Sequence, residues 1–201
     1  MRKAIFSLLI SVSLVGCKDI PTTPYVLPEE IDLREGDLIF RLGRSMESRA
    51  VTSLDDQKVF SHVGILVKLD DKWVVIHAVP GESPEGAKDT IKMDPISQFF
   101  RFDRAKSGAI MRLDISDSAA KIVSGVALRY YDKKPLFDSY YDLEDTTAVY
   151  CTELIYLSYY GAGIDITEDR RHKVIGFPIP QVWPSDILNN KNLKIVYEFK
   201  D

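Results

Sequence analysis

Few residues in this chain are of a type that can do covalent chemistry. Cys151 opens an apolar run, Cys-Thr-Glu-Leu-Ile-Tyr-Leu-Ser-Tyr-Tyr, behind a loop rich in Asp, Glu and Thr. A thiol in the first turn of a helix meets unpaired backbone N–H groups and the positive end of the dipole. Both favour thiolate. A thiolate beside a histidine is the arrangement for nucleophilic acyl transfer. The alternative is a small buried core cysteine, and composition alone leaves the two readings level. There are three histidines, His62, His77 and His172. Residues 62–68 and 73–79 are β-branched runs joined by Leu69–Lys72, the pattern of a hairpin. In that hairpin His62 and His77 become cross-strand neighbours. A general base needs such a second hydrogen-bonding group to fix its tautomer. Each histidine also reads as a satisfied structural residue, and His172, in the polar stretch Glu168 to Lys173, is read that way. Cys151, His62 and His77 together could ligate zinc, but their spacing matches no HExxH, CxxC or finger pattern. No metal and no cofactor are expected.

The other cysteine, Cys17, reads differently. Arg2 and Lys3 precede an apolar run, Ala4 to Val15, that is too short for a resident membrane span and fits an export signal. The run ends Leu14-Val15-Gly16-Cys17, which resembles a bacterial lipobox. The expectation is a signal peptide over 1–16, with Cys17 as the acylated N-terminus. Residues 17–30 then form the lipidated cysteine and a proline-containing tether, and residues 31–201 one domain. Two or more acyl chains anchor stably where one does not. The chain of 201 residues carries a formal charge of −4. A mildly acidic body without a basic block excludes sequence-independent nucleic-acid binding and makes the lipid the expected membrane contact. The expected location is the bacterial cell envelope. Lys18 lacks the acidic character associated with inner-membrane retention, which favours the outer membrane. Cys151 is then left without a disulfide partner in an oxidising space, as befits a reactive thiol.

The elements that must position these residues follow from pattern. Leu38–Phe40 reads as a first strand, and residues 43–57 as a short helix and loop. After the hairpin come a short strand over 90–93 and a short helix from Asp94-Pro95 to Phe100, with Asp94 as its cap. A strand over 109–113 precedes a helix from Ser116 to Tyr131, capped by Ser116 or Asp117. The Cys151 helix ends at Gly161-Ala162-Gly163, and Leu193–Phe199 is a last strand. Strands joined by short loops and mixed with helices predict an α+β domain with a mainly antiparallel sheet.

Five segments together resemble a known family. They are Gly36-Asp37-Leu38-Ile39-Phe40-Arg41, Phe60-Ser61-His62-Val63-Gly64-Ile65, Val75-Ile76-His77-Ala78, Phe137-Asp138-Ser139-Tyr140-Tyr141 and Tyr150-Cys151-Thr152-Glu153-Leu154-Ile155. Their order is similar to that of the permuted papain-like cysteine amidases of the NlpC superfamily, YiiX/YaeF type, in which the His strand precedes the Cys helix. The resemblance runs from about residue 33 to about 190. It implies a circularly permuted papain-like fold, with Cys151 as nucleophile, His62 as general base and His77 as third polar residue. By the same resemblance many close relatives are expected to carry Glu at that third position, while other NlpC-type and lecithin:retinol acyltransferase-like enzymes use His. The implied activity is hydrolysis of an amide in a cell-envelope peptide or lipid-linked amide. The alternatives are an acyltransferase or lipase-like enzyme on membrane lipids, and a catalytically inactive binding lipoprotein. Asp138, Glu153 and Tyr141 are candidates to shape the substrate pocket. Tyr141 or Tyr150 is a candidate second donor to the oxyanion, beside the Cys151 amide.

Overall fold

The computed structural model describes residues 21–145, 147–174, 177 and 179–200. The expected signal peptide and Cys17 lie outside the described residues. The element order is β1 (Leu38–Gly43), α1 (Met46–Leu54), β2 (His62–Leu69), β3 (Lys72–Ala78), β4 (Ile91–Pro95), α2 (Ile96–Phe99), β5 (Ala105–Leu113), α3 (Asp117–Lys133), β6 (Leu136–Phe137), β7 (Ala148–Val149), α4 (Cys151–Tyr160), α5 (Pro184–Leu188) and β8 (Leu193–Lys200). Six strands form one sheet in the order β4-β3-β2-β1-β5-β8, with every neighbouring pair antiparallel. The α+β class and the mainly antiparallel sheet are therefore as the sequence predicts. The strands β6 and β7 form a separate parallel pair.

The hairpin closes on Asp70 and Asp71, both at positive φ (45° and 62°). Two left-handed residues twist the turn to match its strands, and Asp tolerates that conformation. The register pairs Ile65 with Ile76 and Leu69 with Lys72. Continued to the open end, it sets Gly64 opposite His77, so His62 and His77 are diagonal rather than directly opposed.

Alternation along the strands divides the apolar residues into two layers. Val63, Ile65, Val67, Phe40 and Ile76 pack with Leu154, Ile155 and Tyr159 of α4 and Val123 and Ala127 of α3. Leu154, Ile155 and Tyr159 are fully buried. Burial of each such side chain stabilises by roughly 1.5–3 kcal/mol. On the other face, Ile39, Leu66, Val75 and Ile110 pack with Phe99, Phe100 and Ala105. His62 and Gly64 alternate with Val63 and Ile65, which puts them on this second face.

Residues after Thr23 do not behave as a free tether. Tyr25 stacks on Phe199 at 4.4 Å, meets Phe100 edge-on at 5.6 Å and hydrogen-bonds the Tyr197 hydroxyl. Its amide donates to the Ser97 carbonyl at 3.0 Å. Leu27 and Leu33 join the same layer. One aromatic with an apolar wall to cover outweighs the extended preference of its prolines.

The short helix also starts differently from expectation. Asp94 and Pro95 end β4, and α2 begins at Ile96 with no side-chain cap. Pairing of Val75 with Asp94 and of Val74 with Pro95 holds both residues in the sheet. In α3, Ser116 is the cap, accepting from the Ala119 amide at 3.2 Å.

Candidate active site

The antiparallel order brings the end of β1, the start of β2 and the end of β3 to one edge of the molecule. A cavity of about 460 Å³ opens there, lined among others by Arg41, His62, Glu82, Arg104, Tyr141 and Cys151. Cys151 comes from the helix layer and His62 from the opposite face of the sheet, so the two reach the cavity from either side of β2. They share it without a direct hydrogen bond; such bonds often tighten only when substrate is bound.

His62 Nε2 lies 2.9 Å from His77 Nδ1. His77 Nε2 lies 3.3 Å from Asp94 Oδ2. The nitrogen of His62 outside this bond is Nδ1. Phe99 braces the pair, stacking on the His62 ring at 5.5 Å and meeting the His77 ring edge-on at 5.1 Å. Gly64 makes the diagonal contact possible. A Cβ there would lie 2.5 Å from Val75 Cγ1 and 3.1 Å from His77 Cβ. Beyond the histidines is a charged group. Asp94 Oδ2 accepts from Arg104 Nη1 at 3.1 Å and lies 3.6 Å from Lys92 Nζ. Arg104 also pairs with Glu82, which binds Arg41. The Arg41 guanidinium sits 4.7 Å over the Phe99 ring and donates to the Phe99 carbonyl at 2.8 Å.

Electrostatics make the resting pair neutral. Burial pushes the Cys151 thiol up to about 11, against the opposing pull of the Val63, Thr152 and Cys151 amides and of Arg41. The helix start thus favours thiolate, but burial outweighs it. Burial, then Arg41, His77 and Lys92, hold His62 well below the usual imidazole range. Burial also lowers His77, opposed by its bond to Asp94. For Asp94, burial favours the neutral acid, yet His77, Lys92 and Arg104 win and hold the carboxyl below its usual range.

The fold distributes the remaining candidates unevenly. Tyr141 lines the cavity. Its backbone is left-handed (φ 55°), and its ring stacks on Trp183 at 5.7 Å. Burial and the nearby Cys151 raise its hydroxyl. Asp138 is not part of the cavity wall. It accepts from the Tyr140 amide at 2.7 Å and from that of Asp142, and so holds the turn that presents Tyr141. Glu153 is also away from the wall, 2% exposed, accepting from the Tyr150 amide at 3.2 Å. The geometry gives these two carboxylates structural work rather than a place in the pocket. The Tyr150 hydroxyl accepts from the Val182 amide at 3.1 Å, in the core.

Comparison with known proteins decides the relationship. Residues 32–197 match the family described as permuted papain-like amidase enzymes, YaeF/YiiX, C92 family. The chain belongs to this family. The uncharacterized protein YiiX of Escherichia coli (strain K12) is 27% identical over 150 residues, 73% of this chain and 68% of that protein. A crystal structure described as that of the metalloprotein YiiX from Escherichia coli O157:H7 superposes with a TM-score of 0.65 at 20% identity. It covers 84% of this chain and 98% of that one. Among the described residues here, no three His, Cys, Asp or Glu side chains converge as metal ligands. No step below passes through a metal.

Sequence reading brings Cys151, His62, His77 and Tyr141 to one edge, but it misses Asp94, Arg41, Glu82 and Arg104. The available signal was Asp94 itself, an acid two residues past Lys92 on a strand that must pair with the His77 strand. The Asp-Pro step obscured it.

Proposed function

We propose that this chain is a lipid-anchored cysteine amidase of the cell envelope, with Cys151 as nucleophile, His62 as general base and His77 as the group that orients it. The observation that carries this reading is a single cavity holding Cys151 and His62, with the hydrogen-bonded series His62–His77–Asp94 behind it. Substrate enters a neutral site. His62 Nδ1 takes the Cys151 proton as Sγ bonds to the amide carbonyl carbon, and the oxygen gains the negative charge. The Cys151 amide, in the first turn of α4, donates to that oxygen, and the Tyr141 hydroxyl is the proposed second donor. The tetrahedral species collapses with cleavage of the C–N bond, and the imidazolium gives its proton to the departing amine. Water then attacks the thioester, one of its protons passing to His62, and the C–S bond breaks as the imidazolium returns that proton to Sγ; the thiol is restored and the carboxylic acid leaves to ionise in solvent.

The strap formed by residues 23–33 supports a membrane-borne amide as substrate. Thr23 accepts from the Phe102 amide, and Arg44 Nε donates to the Phe102 carbonyl at 2.7 Å. The same segment continues into Arg101, Asp103 and Arg104 on the cavity wall. Six residues from an acylated Cys17 to Thr23 reach at most about 20 Å, so the anchor would hold this edge close to the bilayer. The outer membrane is the proposed location.

The test uses the full chain reconstituted in vesicles, offered an N-acylated fluorescent amine in the bilayer and a soluble peptide amide. Release of amine that disappears in Cys151→Ala, with an unchanged circular dichroism spectrum and melting point, supports the proposal. Amine release unaffected by that substitution sinks it. Fatty-acid release from lipid esters without amine release replaces it with the acyltransferase or lipase-like reading.

A further inference from the structure

We propose that Asp94 is a positioning residue of this site: through His77 it sets the direction of the histidine–histidine hydrogen bond, and so keeps His62 in the tautomer whose Nδ1 is bare. The inference rests on the reading of His62 as the base for Cys151.

The argument is a count of protons. A hydrogen bond between His62 Nε2 and His77 Nδ1, 2.9 Å apart, can run in either direction. If His77 Nδ1–H donates, His62 Nε2 is the acceptor. A neutral His62 must then carry its proton on Nδ1, the nitrogen needed to receive the proton from Cys151. A base in that state is already occupied. If His62 Nε2–H donates, Nδ1 is bare and competent. Nothing in the two rings prefers one direction over the other.

Asp94 breaks the tie. An ionised carboxylate only accepts, and this one stays ionised among Lys92 and Arg104. At 3.3 Å from Asp94 Oδ2, His77 Nε2 must carry the proton. His77 is fully buried near the Arg41 cation and stays neutral, so its single proton on Nε2 leaves Nδ1 as acceptor. His62 then donates from Nε2, and its Nδ1 is left bare. The charged groups that act on the pair are Arg41 and Lys92 on the cationic side and Glu82 and Asp94 on the anionic side, with Arg104 behind the two carboxylates. Arg41 pairs with Glu82, and Arg104 with both Glu82 and Asp94. Only Asp94 touches a ring nitrogen.

The experiment reads tautomers directly. Full-length protein with 15N-labelled histidine is placed in detergent micelles, and long-range proton–nitrogen correlations assign the protonated nitrogen of each ring. The expected result is protonated Nε2 on both His62 and His77. A predominant Nδ1–H on His77 overturns the proposal without any variant. In Asp94→Ala the expectation is a mixture of both tautomers at His62. Iodoacetamide alkylation, read by mass spectrometry at the Cys151 peptide, should slow by about 10- to 100-fold, the range for carboxylates that orient imidazole ligands. Native tautomers and native alkylation in Asp94→Ala overturn the proposal. If that variant does not fold, the measurement on the unaltered protein still decides. The alkylation rate of His62→Ala separates the two readings. If it matches the unaltered protein, His62 is not the base and the role of Asp94 falls with it. If it drops while Asp94→Ala stays fast, the base stands and the positioning role alone is refuted.

Discussion

His77 and His172 are each set between two polar partners, yet they sit in regions that do opposite work. His77 is fully buried, flanked by His62 and Asp94 and braced by Phe99. His172 is 38% exposed and lies between Asp56, itself largely exposed, and the buried Asp186. Its backbone pairs with Gln181, so it joins the 164–182 loop to the α1 exit and to α5. One histidine is hydrogen-bonded to a residue of the cavity wall, and the other ties loops together. What separates them is the nature of the partners. A ring bonded to another ring can transmit the direction of a hydrogen bond, while a ring between two carboxylates has two acceptors to tie together.

The contrast is broken most directly by removing each ring. His77→Ala leaves His62 Nε2 buried without its partner and frees the proposed base to adopt either tautomer. Turnover should fall by about 10- to 100-fold. His172→Ala removes the ring that lies between Asp56 and Asp186 and leaves the Asp186 carboxyl its bond from the Trp183 amide, at 2.8 Å. That variant should lose about 1–2 kcal/mol of stability with turnover changed less than about two-fold. Thermal melts and turnover measured on both variants check this. A His172 variant that loses turnover as severely as the His77 variant would erase the distinction.

How much of this was legible beforehand follows the range of the interactions involved. The hairpin was, because its loop and its β-branched strands are contiguous, and with it the approach of His62 to His77. Cys151 at a helix start was, because the apolar run announces the helix. Asp94 was not. An Asp-Pro before an apolar pair is a capping pattern, and only pairing with β3, more than fifteen residues upstream, turns its side chain towards His77. The parallel pair β6 and β7, two residues each, carries no local signal. Tyr25 lies in a proline-containing stretch, and its docking exists only once Phe100, Tyr197 and Phe199 share a surface. The thiol showed the same limit: the helix start argued for a lowered value, and burial, a tertiary property, reversed it.

A second break in the comparison uses acid. His62 and His77 are neutral in the folded state, with values below the ordinary imidazole range of about 6.5. Above about pH 6.5 neither ring binds a proton in the folded or the unfolded chain. As pH falls below that, the unfolded chain takes up protons that the folded one refuses, so stability drops. Melting temperature should therefore fall between about pH 6.5 and 5, and the slope should shrink in a His62→Ala, His77→Ala double variant. A slope unchanged by that double substitution would assign the acid sensitivity to other groups.

The smallest effect belongs to Glu153, two residues from Cys151 yet outside the cavity wall. Burial lifts its carboxyl to about 8, only partly offset by the Tyr150 amide, and Asp138, Asp145 and Asp142 add to the rise. The sign is opposite to that of the histidines. A folded-state value above the unfolded one near 4.3 means that the folded chain holds a proton the unfolded chain releases. Stability from this group is complete below about pH 4.3 and declines as pH rises towards 8. Glu153→Gln keeps an acceptor for the Tyr150 amide and removes the ionisation. The variant should melt close to the unaltered protein at pH 5 and above it at pH 8, with turnover nearly unchanged. A variant that melts lower at pH 8 would show that the ionised carboxylate stabilises the start of α4. A large loss of turnover would return Glu153 to the catalytic pocket from which the geometry excludes it.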